Sequence, residues 1–152
     1  MTDHQPDGCR ALAKVAEQIV AADLDITPGD FLRALGRLVA GIEPGVEGLL
    51  NLARGGSNEI SGRGFKPEFD DGSAGQARHF AGTAVSVTLL GTRATELIAH
   101  TIVDPADTPD GRLSSAAIEF ANLIVNEEMP VEGASAWIID ELCAASAEPD
   151  PA

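Results

Sequence analysis

Apolar residues recur along this chain at helical rather than strand spacing. Between Gly8 and Leu24, the side chains of Leu12, Val15, Ile19 and Val20 fall on one stripe of a 3.6-residue period. Thr27-Pro28-Gly29-Asp30 then supplies a capping hydroxyl, a proline at the first helical position and an acid in the first turn. A second apolar face follows through Phe31, Leu35, Leu38, Val39 and Ile42, and Glu43-Pro44-Gly45 breaks it. Val46, Leu49, Leu50 and Ala53 predict a shorter helix that ends at Gly55-Gly56.

Further along, Ser73 is placed to cap a helix running through Gln76, Phe80, Ala84, Val87 and Leu90. The β-branched content of Thr83 to Thr88 would also suit a strand. The Ala- and Gly-rich lead-in and the lack of a partner strand favour a buried helix instead. Its small residues (Ala77, Ala81, Gly82, Ala84, Ser86) let neighbouring helices come close, which places it at the centre of the domain. Thr92 to Val103 predicts another helix, stopped by Asp104-Pro105. Leu113 to Val125 predicts the next, with Asp110 as its cap, and Pro130 opens the last, through Trp137, Ile138, Leu142 and Cys143. No repeat of roughly 20–50 residues is present. The pattern predicts an all-α fold: one bundle of six or seven helices over residues 1–147, with a frayed acidic tail at 148–152.

One segment breaks the periodicity. Residues 55–73 have no sustained apolar period and hold several glycines and one proline, so they predict a long ordered loop folded over the middle of the helix that begins near Ser73. A loop of this length in a chain of 152 residues often carries function. It contains Glu68, Asp70 and Asp71, and it leads into Gln76, Arg78 and His79. An imidazole held by Glu68, Asp70 or Asp71 is the minimum equipment of a general base, which makes those carboxylates and His79 the candidate catalytic residues. Arg63, Lys66, Arg78 and Gln76 are the candidate ligand-binding residues, because an island of positive charge in an acidic chain can hold a carboxylate or phosphate. The bland reading of the same cluster is ion pairing, helix capping and a core histidine satisfied by one backbone carbonyl. Phe65 and Phe69 would then pin the loop to the core.

Charge narrows the partners. The formal net charge of −14 argues against nucleic acid and anionic membrane surfaces, both of which are bound through Lys and Arg. Beyond Arg112 there is no basic side chain, so the C-terminal quarter is an acidic surface suited to solubility or to docking a basic protein. A homodimer is a further option. Met1-Thr2-Asp3-His4 lacks the basic and apolar regions of a secretory signal, and Cys9 and Cys143 lack metal-ligand spacing. The expectation is a cytoplasmic protein with two free thiols; a disulfide between them would need an oxidising compartment. Glu96, His100 and Asp104 stack at i, i+4 and i+8, but a solvated helix face explains them without a metal. Glu119, Asn122 and Asn126 likewise suit an outer face. No phosphate loop, serine elbow, metal site or cofactor motif is present. Two functions survive: a protein-interaction or ligand-binding module, and a small hydrolase or lyase-like enzyme built on His79 with Arg78 holding an anionic substrate.

Overall fold

A computed structural model describes residues 7–43, 56, 59–91, 93, 95 and 107–145. Among them are five α-helices: α1 (Gly8–Ala22), α2 (Pro28–Ala40), α3 (Gln76–Leu90), α4 (Pro109–Val125) and α5 (Ala134–Leu142). The fold is therefore all-α, and the described residues contain isolated bridges but no strand. The expected count of six or seven helices is not met. The helices read over 46–53 and 92–103 lie outside the described residues, apart from Arg93 and Thr95.

The helix starts follow from local chemistry. The Asp7 carboxylate accepts from the Arg10 N–H at 2.8 Å and caps α1. Thr27 caps α2 by accepting from the Asp30 N–H at 3.2 Å, with Pro28 in the first turn. Gly41 ends α2 at φ 65°, the left-handed conformation that glycine adopts without steric cost. The capping of α4 departs from expectation. Thr108, not Asp110, caps it by accepting from the Gly111 N–H at 3.0 Å, so the same Thr-Pro pair starts both α2 and α4. Ser73 is likewise not the cap of α3; Gly75 holds that position without a side-chain bond.

α3 packs between α2 and α4, and α1 packs against α5. The segment Thr83 to Thr88 is helical, and α3 is buried along most of its circumference. Gly36 lets α2 approach it, since a Cβ there would stand 2.8 Å from the Cβ of Val85. The buried side chains form one cluster drawn from all five helices. At its heart Phe120 meets Phe80 and Trp137 with ring centroids at 5.2 and 5.1 Å, and Phe31 at 6.4 Å. Such tilted pairs contribute about 0.5–1.5 kcal/mol each beyond the area they bury. No described helix is long and apolar enough to cross a membrane.

The long loop does not lie across the middle of α3. Its described part starts beside the end of α2, where the Glu59 N–H donates to the Val39 carbonyl, and threads between the start of α1 and the residues that follow α5. Arg63 bridges to Asp7, and Phe65 bridges to Cys143. The Lys66 N–H donates to the Leu142 carbonyl and the Ala144 N–H to the Gly64 carbonyl, both at 2.8 Å. Gly64 sits at φ 96° against the Asp7 carboxylate, where a Cβ would collide with it. A 3₁₀ turn at Pro67–Phe69 then lies on α4, and the loop meets α3 at its first residue, Gln76. Both Phe65 and Phe69 are buried, as pins should be.

The free-thiol expectation is overturned. Cys9 and Cys143 form a disulfide, with Cα atoms 5.5 Å apart and both residues in the core. The loop carries Phe65 against Cys143, so the disulfide joins the first turn of α1 to the residue after α5 beside it.

Candidate functional site

The polar groups singled out in the sequence divide into two sets. Gln76, Asp71 and His79 converge with Asp110, where the loop meets the first turns of α3 and α4. Gln76 is 2% exposed. Its amide nitrogen donates to the Phe69 carbonyl and lies 3.3 Å from Asp110 Oδ1. The Ser73 hydroxyl donates to Asp71 at 2.6 Å and lies 3.4 Å from Gln76 Oε1. Gln76 is thus the bolt that fastens the loop to α3 rather than an open ligand-binding group.

The two carboxyls here are tuned in opposite directions. Burial pushes Asp110 above the ordinary carboxylate value, with the neighbouring Asp71 adding to the rise and His79 opposing it. Burial also pushes on Asp71, but the Ser73 hydroxyl and N–H outweigh it and hold that carboxyl below its usual value. Hydrogen bonding between the two carboxyls favours ionisation of Asp71 and protonation of Asp110.

His79 is half-buried and turned toward α4. Its Nε2 lies 2.7 Å from Ser114 Oγ and 3.1 Å from the Asp110 carbonyl oxygen. Ser114 is completely buried, which removes it from contact with any solvent-borne substrate. The ring is engaged by α4, whereas the sequence reading paired it with the loop carboxylates.

The second set is dispersed. Asp70 accepts from Arg63 at 2.5 Å and from the Gly72 N–H at 2.8 Å, and these donors hold its carboxyl below the usual range. Lys66 reaches the Asp140 carbonyl at 2.8 Å and so ties the loop to α5. Glu68 is exposed; its backbone carbonyl accepts from Arg112 Nε at 2.9 Å. Arg78 is half-buried, with its guanidinium over Gly75. The sequence reading missed Asp110, Ser114 and Arg112. Recognising Thr108-Pro109 as a second copy of the Thr27-Pro28 signal would have freed Asp110 from capping and put Ser114 one turn below it on the same face. The Glu96, His100 and Asp104 triplet lies outside the described residues.

A second candidate is an open groove of about 440 Å³ between α1 and α5. Val20 and Ala21 line it from α1, and Val131, Ala136 and Ile139 from the opposite side. Ile139 is 40% exposed, a large apolar side chain left facing water. Glu17 and Glu132 add carboxylates to the lining, which has no Lys or Arg. Beyond Arg112, Glu119, Glu127, Glu128, Glu132, Asp140 and Glu141 are all exposed. No family model matches the chain, and comparison with curated proteins and with solved structures yields no match.

Proposed function

We propose that this protein is a non-catalytic binding module that engages a protein partner through its acidic C-terminal face. The observation that carries the reading is the α1–α5 groove, which joins an apolar floor to acidic neighbours. Protein interfaces combine a desolvated apolar centre with a polar rim, and this groove has both parts. The polar cluster around His79 supports the same reading from the other side. Gln76, Arg63, Lys66 and Arg112 spend their donors on carbonyls and carboxylates of this chain, so they serve as fastenings of the loop.

The enzymatic alternative keeps His79 as its imidazole and gives Asp71 or Asp110 the role of carboxylate. It is the weaker reading, because Nε2 is already satisfied within the fold. The disulfide also moves the proposed compartment from the cytoplasm to an oxidising one, where such bonds persist.

A nuclear magnetic resonance titration separates the two functions. Short amphipathic helical peptides and small carboxylate and phosphate ligands are added in turn to the disulfide-bonded protein. The binding-module reading expects peptide-induced shifts at Val20, Ala136 and Ile139, with the His79 and Asp110 signals unmoved. Saturable shifts of His79 and Asp110 by a small anion, with a silent groove, would overturn it.

A further inference from the structure

We infer that the groove between α1 and α5 receives a short amphipathic helix bearing Lys or Arg beside its apolar stripe. This inference rests on the binding-module reading and adds the identity of the partner segment. Three observations carry it. The walls are α1 on one side and α5 with the turn before it on the other, and the groove between them is open and mostly apolar, so an apolar helical edge suits it. α5 has nine residues, about 13 Å at 1.5 Å per residue, which limits the occupant to two or three turns with anchors at i, i+3 or i+4, and i+7.

Charge then selects the occupant. Glu17 on α1 and Glu132 before α5 stand at the groove, and the exposed Glu127 and Glu128 precede the turn that contributes Val131. Three basic groups lie on α1 or reach α5: Arg10, Lys14 and Lys66. Arg10 is consumed by Asp7 and the Ala144 carbonyl, and Lys66 by the Asp140 carbonyl. Lys14 is exposed on α1, one turn before Glu17, and is too few to neutralise the acids. A second copy of this chain carries the same net charge of −14 and would set Glu17 and Glu132 against their own copies, so self-association through the groove is opposed by like charge. A cationic helix gains where a second copy loses.

The test uses three fluorescein-labelled 14-residue probes and the full disulfide-bonded chain. One probe is a Leu/Lys amphipathic helix. The second keeps its leucines and replaces Lys with Gln, and the third scrambles the first so that no apolar face forms. Fluorescence anisotropy is read at low and at physiological salt. The cationic helix binds, and the neutral and scrambled probes bind at least about tenfold more weakly, a factor equal to 1.4 kcal/mol. Its affinity falls as salt rises. Ala136→Arg, at an exposed lining position, abolishes binding, and the paired Glu17→Gln and Glu132→Gln variant weakens it severalfold. Glu119→Gln, away from the groove, leaves it unchanged, and circular dichroism confirms that each variant is folded.

Equal binding of the neutral helix, still blocked by Ala136→Arg, overturns the charge inference and leaves the binding-module reading standing. Equal binding of the scrambled probe overturns the helix and reduces the effect to bulk charge. Binding of no probe, or binding indifferent to Ala136→Arg, overturns both. A dimer detected by ultracentrifugation and dissolved by Ala136→Arg makes a second copy the occupant and overturns the cationic partner.

Discussion

Replacing Cys9 and Cys143 together by alanine removes a cross-link between residues 134 apart. In the chain-entropy description, closing a loop of that length costs the unfolded ensemble about 17 cal/mol/K, or about 5 kcal/mol at 25 °C. Domains are stable by about 5–15 kcal/mol in total, so the variant gives up a large share of its margin. For a chain of this size each kcal/mol moves Tm by roughly 2–4 °C, so the loss corresponds to about 10–20 °C. The folded state itself changes little. The bonds from Lys66 to Leu142, from Ala144 to Gly64 and from Arg10 to Ala144 still hold the C-terminal segment in place. The expected signature is an unaltered near-ultraviolet spectrum with a much lower urea midpoint. The urea slope should also rise, because the uncross-linked chain exposes more surface when it unfolds. A thiol titration of denatured wild type should find none before reduction and two after it. A double-alanine variant within about 1 kcal/mol of wild type would refute the loop-closure argument, and two thiols in unreduced protein from an oxidising host would refute the disulfide.

Other perturbations test the packing and the polar junction. Gly36→Ala places a methyl against the Cβ of Val85 and should cost about 1–3 kcal/mol in urea melts, and adding Val85→Ala, which keeps that Cβ, should recover only a minor part of the loss. Gln76→Leu strips the buried Phe69 carbonyl of its donor and should cost about 1–3 kcal/mol, with proteolysis increasing within 62–74 before the helices are cut. Two acid variants should show opposite pH slopes. Asp70 is lowered below 3.8, so its contribution is present above that value and lost as pH falls through the folded value; Asp70→Asn should therefore be most costly near neutrality. Asp110 is raised above 3.8, so its favourable contribution is present below that value and lost as pH rises through the folded value. Asp110→Asn keeps an acceptor for Gln76 and should gain on wild type over that rise; parallel stability curves for the two variants would sink both assignments.

The helices were legible where a local rule decides them. Thr27-Pro28 and the apolar stripe from Phe31 to Ile42 placed α2 within two residues, because a cap, a proline and a period all agree, although Gly41 ends the helix before Ile42. The centrality of α3 was legible too, since small residues on several faces leave few other places for a helix. What failed were the long-range pairings. Gln76 reads as an available amide because it opens a helix, and nothing in its neighbours reveals that the Phe69 carbonyl descends onto it. Asp110 reads as a cap until Thr108 is given that role. The disulfide was legible only as the alternative to free thiols in an oxidising compartment, since no spacing rule links Cys9 to Cys143. The groove was missed because Val20 belongs to the α1 stripe by period, yet stands at its edge, half-buried and facing α5.

These long-range fastenings bear directly on the groove. α1 and α5 form its walls, and the disulfide joins the start of α1 to the residue just past the end of α5. From Cys9 to Glu17 is about 12 Å of helix at 1.5 Å per residue, so the covalent tie lies little more than two turns from the groove. The loop adds a second tie between the same walls, through Arg63 beside Asp7 at one end and Lys66 on Leu142 and Asp140 at the other. An interface whose two halves are already held at a fixed spacing loses little conformational freedom when a partner arrives. On the proposed binding function, the loop would act on binding from a distance, by holding the groove walls in place rather than by touching the partner. Loosening the loop by Gln76→Leu should then weaken probe binding less than Ala136→Arg does, and chiefly by speeding dissociation. An affinity loss as large as that of the groove variant would show instead that the loop itself contacts the partner.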